Sequence, residues 1–486
     1  MLFNSYIFIL FFLPTALILY FGLNQLGKEA LAKWALIGMS LWFYAYFHIS
    51  YLFLLTGSII INFLTSRLLI RLHGKVRRKI LLAGGITVNL GLIFYFKYFH
   101  FFLENVNLLF STDFHLRKIL MPLGISFFTF QQISYLVDSY RLETKDHRLV
   151  DYVLFITFFP QLIAGPIVLH SEMIPQFQDP ARKKLNQDKL ACGIRLFAIG
   201  LFKKVLIADT LGRGADFGFA NPEMLTALDT AVVSVLYTLQ LYFDFSGYCD
   251  MASGIANMFH LELPMNFNSP YKAASITEFW QRWHITLSRF LRKYLYFPLG
   301  GSRKGEGRTL LNILIVFLVS GIWHGAGWTF ILWGAAHGAA RILHRLCKRF
   351  WDKIPRLIGQ AATFIFVDLA WILFRAETLQ DAAVLYQKLV SPWTWQLSGG
   401  LLDQFNLLEF TYIEDHVPFL KAFVTGFPAV HLLICMAVAL FLALIPKNCH
   451  EKQFVPNGKT AAGSIILLVW SIISLSGLST FLYFNF

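Results

Sequence analysis

Two histidines stand where a polar ring needs a reason. His324 lies in "VSGIWHGAGWTF", residues 319 to 330, between small residues and tryptophans. From Thr309 to Ala340 run 32 residues without Asp, Glu, Lys or Arg. As one helix they would reach about 48 Å, against a membrane hydrocarbon core of about 30 Å. That is long for one span and short for two, and both flanks, Arg308 and Arg341, are basic. The stretch is therefore expected to be a short broken hairpin or a steeply tilted, interrupted helix, with Ser320, Gly321, Gly325 and Gly327 permitting the break. Either way His324 is deep, and a histidine at membrane depth is costly unless it faces protein or water. Taken alone, such a residue more often makes a helix-to-helix hydrogen bond than a catalytic site.

His284 supplies the second half of the signal. It lies in "SITEFWQRWHITLSRFLRKYLYFPLGG", residues 275 to 301, which opens with a Ser275/Glu278 capping box and reads as one amphipathic helix. Trp280, Trp283, His284, Leu287, Leu291 and Tyr294 then share an apolar face, with Arg282, Arg289 and Lys293 on another. The basic residues alone would indicate only a helix on anionic headgroups. A histidine on the apolar face is the anomaly. A third cluster, "LQLYFDFSGYCDMASG" at 239 to 254, holds Asp244, Ser246, Tyr248 and Asp250. Two readings stay open for its carboxylates: a lined cavity or proton path, or a helix end paired with the basic tract that follows.

Neither histidine has metal-ligand spacing, and a neutral imidazole can take a proton from a hydroxyl. The chain has no GxSxG, HExxH or CxxC motif, and Cys192, Cys249, Cys347, Cys435 and Cys449 are scattered. No metal, disulfide framework or tightly bound cofactor is expected. A base without a protein nucleophile implies direct transfer to an acceptor hydroxyl from a reactive donor such as an acyl thioester.

The elements that must position these residues are membrane helices. Hydrophobic residues make up 56% of the 486, charged residues only 14%, and mean hydropathy is +0.57, far more apolar than a soluble protein. Apolar runs fall near 5–23, 34–48, 49–66, 80–98, 118–138, 150–169, 190–208, 229–243, 309–340, 357–374, 430–446 and 463–484, about ten to twelve embedded segments. The net charge of +14 belongs to short tracts between these runs, which indicates membrane orientation and excludes a nucleic-acid partner. "RLLIRLHGKVRRK", 67 to 79, is the strongest such tract and is placed in the cytoplasm, as are 139–148, 282–308 and 341–356. Counting back three spans puts the N-terminus outside. The first apolar segment has no basic n-region and is read as a retained transmembrane helix. Segment 378–430, with five acids and only Lys388 and Lys421, is placed outside, and its Trp393, Trp395, Phe405 and Phe410 make it either a docking surface or an amphipathic cap. Parity then requires 150–169 to enter and return, which Pro160, Gly165 and Pro166 allow; Lys203 and Lys204 fit the count poorly.

The two histidine segments together resemble the membrane-bound O-acyltransferase (MBOAT) family, in its bacterial branch containing AlgI, PatA and DltB, nearer the AlgI and PatA type. Supporting stretches are "MPLGISFFTFQQISYLVDSYR" (121–141), "FPQLIAGPI" (159–167), "LYFDFSGYCDMA" (241–252), "ILFRAETL" (372–379) and the terminal "FLYFNF", so the likeness covers the whole chain, 1–486, as one domain with a motif-bearing core at 115–345. The resemblance implies an all-α bundle of about eleven transmembrane helices plus re-entrant and interfacial helices around a central tunnel. It implies that His324 is the catalytic histidine, acting in its neutral form on the acceptor hydroxyl, and that His284 is the second family histidine. Trp283, Trp323, Trp328, Asp244, Ser246 and Tyr248 would line the tunnel, and Arg282, Arg289 and Arg292 would attract the donor's phosphates. The implied reaction moves an acyl group, on this branch an acetyl group, from a cytoplasmic thioester (acetyl-CoA or an acyl carrier protein) towards a polysaccharide of alginate, cellulose or peptidoglycan type. An exported SGNH-type acetyltransferase would be the partner and the bacterial inner membrane the location. D-alanyl transfer from a carrier to teichoic acid, and a proton-coupled transporter using His284, His324 and Asp244, are the alternatives.

Overall fold

The computed structural model describes residues 1–486 apart from 116–118, 145, 452–454, 476–479 and 483–486, so most of "FLYFNF" lies outside the described residues. Every regular element among the described residues is a helix, and the protein is an all-α, multi-pass membrane protein. Among the described residues, five helices are long and apolar enough to cross a bilayer: Phe8–Gln25, Ser50–Arg71, Lys75–Phe110, Glu306–His324 and Arg356–Arg375. Val430–Leu444 and Gly458–Ile473 are shorter apolar helices. Lys75–Phe110 runs well past the apolar run at 80–98 and contains a π-helical turn at Phe94–Tyr98.

Residues 150–169 make no spanning helix. Leu149–Thr157 and Phe159–Leu162 are separated at Phe158, and an extended stretch leads to His170–Gln178. Nine residues of helix rise only about 14 Å, so the segment cannot cross, as the parity count requires. At Gly165 a Cβ would lie 2.4 Å from Gln161 Cα, so the turn closes only without a side chain.

The long helix Ala227–Met258 runs through the interior and is buried almost throughout. Gln187–Phe202 packs on it through facing glycines: a Cβ on Gly193 would lie 2.6 Å from Gly254 O, and one on Gly200 2.5 Å from Gly247 O. Small residues let two backbones approach this closely where lipid supplies no hydrophobic drive. The approach continues into Lys203–Ala208 and sets Lys203 and Lys204 against the long helix.

Segment 309–340 folds as a hairpin. The arms Glu306–His324 and Trp328–Leu346 are joined through Gly325, Ala326 and Gly327. Their contact is backbone to backbone, since a Cβ on Gly321 would lie 2.3 Å from Phe330 O and one on Gly334 2.5 Å from Phe317 O. Each arm is 19 residues, about 28 Å, because the helices continue past the charge-free limits into Glu306 and Arg345. His324 is consequently the last helical residue of the first arm, at the tip of the hairpin.

Candidate active site

His324 is buried at that tip in a wall of rings. Its own ring lies 4.8 Å from Trp323, 5.2 Å from Trp333 and 5.2 Å from Phe374, centroid to centroid. Trp333 stacks on Trp371 at 5.6 Å, and Trp371 meets Trp283 at 5.1 Å. Trp283 is thus linked to His324 through Trp371 and Trp333. Trp323 is closer in, stacked on Phe130 at 5.2 Å.

The expected single helix over 275–301 does not form. Ile276–Arg282 and Ile285–Leu291 are separate helices, and His284 between them has φ 45° and ψ 53°. This left-handed conformation is uncommon for a residue with a Cβ and is held by its surroundings. The backbone of 266–268 runs alongside the break: Asn268 N donates to Arg282 O at 2.9 Å and Ile285 N to Asn266 O at 3.0 Å. Asn266 Oδ1 accepts from Thr286 Oγ1 at 2.8 Å and lies 3.2 Å from His284 Nδ1. Thr286 Oγ1 also accepts from Ile167 N at 3.0 Å, which ties the break to the re-entrant segment. The bend turns His284 inward from the interface, to full burial.

The two histidines meet. Their ring centroids are 6.3 Å apart, a gap that one hydroxyl oxygen at hydrogen-bond distance from each ring would span. A small cavity reaches His324 past Lys97, Pro122, Gly124, Ser126 and Ile163. It offers water about 20 Å³, room for one molecule.

The other sequence candidates separate. Asp244 forms an ion pair with Lys204 at 2.7 Å and accepts from Leu482 N at 3.0 Å. Asp250 binds Lys203 Nζ at 2.6 Å and His450 Nε2 at 2.9 Å. The carboxylates are therefore paired, but with lysines that precede them in the chain, which accounts for Lys203 and Lys204 in an apolar run. Tyr248 packs on Phe3 and Phe481, and Ser246 is buried. The long helix instead presents Phe245 to His284, at 5.0 Å. Trp328, expected on the tunnel wall, is 52% exposed and donates to Asn105 Oδ1 at 3.0 Å. As the first residue of the second arm it sits past the turn, edge-on to Phe101 at 6.0 Å. Arg282 pairs with Glu278 at 2.9 Å, a carboxylate that Arg356 shares at 3.4 Å, and Arg289 pairs with Glu172; Arg292 is exposed. On 378–430, Trp393 and Trp395 are exposed, whereas Phe405 is buried and Phe410 stacks on His431.

Asp250, Cys449 and His450 bring their ligand atoms within 4.8 Å of one another, a cluster that no spacing in the sequence announces because Asp250 is 199 residues from Cys449. Lys203 already supplies the cation beside Asp250, so the group is a closed ion-pair network. Sequence reading also missed Asn266, Trp333, His337 and Lys97. His337 accepts from Trp280 Nε1 at 3.3 Å behind Trp333. Lys97 did carry a signal, as the only charged residue between Lys79 and Glu104.

Residues 86–375, which span both histidines, match the model of the MBOAT, membrane-bound O-acyltransferase family. The chain belongs to that family. It is 40% identical to a peptidoglycan O-acetyltransferase of Helicobacter pylori, over all of this chain and 98% of the relative. It is likewise 40% identical to a probable alginate O-acetylase AlgI of Pseudomonas aeruginosa, over 84% of this chain and 78% of the relative. A teichoic acid D-alanyltransferase of Bacillus subtilis is more distant, 27% identical over 54% of this chain. The protein is accordingly a membrane-embedded acyltransferase.

Proposed function

We propose that this acyltransferase moves an acetyl group from a cytoplasmic thioester towards a cell-surface or secreted polysaccharide, with His324 as general base. The observation that carries the reading is the pair His284 and His324, brought from separate segments to 6.3 Å inside an apolar wall. In the reaction, the His324 imidazole accepts the acceptor hydroxyl's proton as that oxygen bonds to the acyl carbon. The carbon–sulfur bond breaks, and the leaving thiolate takes the proton back from the imidazolium. His284, anchored on Asn266, orients the reacting group and stabilises the oxyanion. Relatives named for O-acetylation align over most or all of the chain, whereas the D-alanyl relatives align over about half, which favours acetyl over D-alanyl transfer.

The donor is acetyl-CoA or an acyl carrier protein, and among the three arginines Arg292 is the one free to meet its phosphates. The exposed Trp393 and Trp395 support docking of an exported SGNH-type acetyltransferase on 378–430. The location is the bacterial cytoplasmic membrane, with the N-terminus outside.

The deciding experiment complements a deletion strain with wild type or His324→Ala and measures base-labile acetate on the exported polymer. In parallel, inverted membrane vesicles receive radiolabelled acetyl-CoA. Wild type restores the esters and His324→Ala, at equal protein level, does not. Retained acetylation in His324→Ala removes the base from the mechanism. D-alanine in place of acetate among the released esters selects the D-alanyl chemistry.

A further inference from the structure

The first hairpin arm ends at His324, and an ending helix leaves its last carbonyls without intrahelical donors. Those carbonyls are served from one place. Tyr98 Oη donates to Ile322 O at 2.6 Å, and Lys97 Nζ donates to Trp323 O at 2.7 Å and to His324 O at 2.8 Å. Two consecutive side chains thus cap three consecutive carbonyls, and one of the three belongs to His324 itself. Both side chains come from the π-helical turn Phe94–Tyr98, a widened turn of the kind that recurs at functional sites. No carboxylate among the described residues pairs with Lys97, so its partner is the negative end of the arm's dipole. A lysine inside an apolar span is costly, and one spent on the backbone of the site residue is placed for the site. Lys97 also lines the cavity that reaches His324.

We propose that Lys97 is a positioning residue for acyl transfer: its ammonium, with the Tyr98 hydroxyl beside it, caps the hairpin tip and holds the His324 backbone where the imidazole meets the acceptor. This rests on His324 being the base. Without the cap the broken turn would be free to shift, and a displacement of about 1 Å can cost a reaction about 100-fold.

The test measures acetyl transfer in inverted vesicles against radiolabelled acetyl-CoA, with ester content of whole cells alongside, for Lys97→Met, Lys97→Arg and Lys97→Met combined with His324→Ala. Lys97→Met is expected to lower kcat roughly 10- to 100-fold while KM for the donor stays within about twofold. Lys97→Arg, which keeps the charge and the donors, recovers most of the rate. On the His324→Ala background Lys97→Met causes no further loss. If Lys97→Met does not accumulate, Lys97→Gln, which can still donate to one carbonyl, replaces it with a smaller loss. Wild-type kcat in Lys97→Met or Lys97→Gln, a failure of Lys97→Arg to rescue, or additive losses in the double variant overturns the proposal while His324 stands. Activity retained by His324→Ala overturns both.

Discussion

Two regions of this molecule bury polar side chains in an apolar bundle, and they hold them differently. At the hairpin tip, His284 and His324 sit among Trp323, Trp333, Phe245 and Phe374, oriented by backbone groups and by Asn266. Along the long helix, Asp244 and Asp250 each touch a lysine from the neighbouring helix, brought there by the close glycine contacts. The second region is electrostatically closed, since every charge has its opposite within hydrogen-bond distance. The first rests on ring packing and caps, and a small cavity reaches His324. Burial alone therefore does not mark a site; what distinguishes the histidines is that aromatic rings, rather than opposite charges, surround them.

That difference predicts opposite signatures for substitutions at similar burial. His324→Ala should abolish transfer, a loss of about 10²- to 10⁴-fold for a general base, with normal accumulation of protein by immunoblot. Asp244→Ala should do the reverse, costing about 1.5–3 kcal/mol of stability, because buried Lys204 loses one of its two carboxylate partners and keeps Asp209 at 2.8 Å. Thermal melts in detergent would show this, and Lys204→Met combined with Asp244→Leu should recover part of the loss. Equal damage to activity and stability at both positions would erase the comparison. Asn266→Ala should lower the rate about tenfold, because hydrogen bonds worth about 1 kcal/mol each hold the His284 turn, with a smaller effect on the melt. Trp328→Ala, outside the wall, should leave the rate within about twofold, as exposed substitutions generally do. A larger loss would return that tryptophan to the site.

The all-helical membrane class, the break at 325–327 and the family were legible in the sequence, because apolar length, glycine placement and motif residues are local properties of the chain. The place of His324 midway along an apolar segment, at its break, followed from the same kind of reading, through the 32 residues without a charge. The helix assigned to 275–301 went wrong at one residue. Its periodicity is genuine, but the left-handed turn at His284 is imposed by Asn266 and by the re-entrant segment, partners that lie elsewhere in the chain. Trp323 and Trp328, both in the quoted motif, part company because the turn lies between them. Lys203 and Lys204 looked misplaced by hydropathy and become necessary once Asp250 and Asp244 stand opposite.

The sequence by itself determined the solvent, the class of structure and the residue types able to do acyl transfer, since these depend on composition and short-range pattern. Only the tertiary structure decided which of those residues share a site. The meeting of His284 with His324 and the capping of that tip by Lys97 come from packing between segments up to 227 residues apart. Packing between distant segments leaves no period in a single chain.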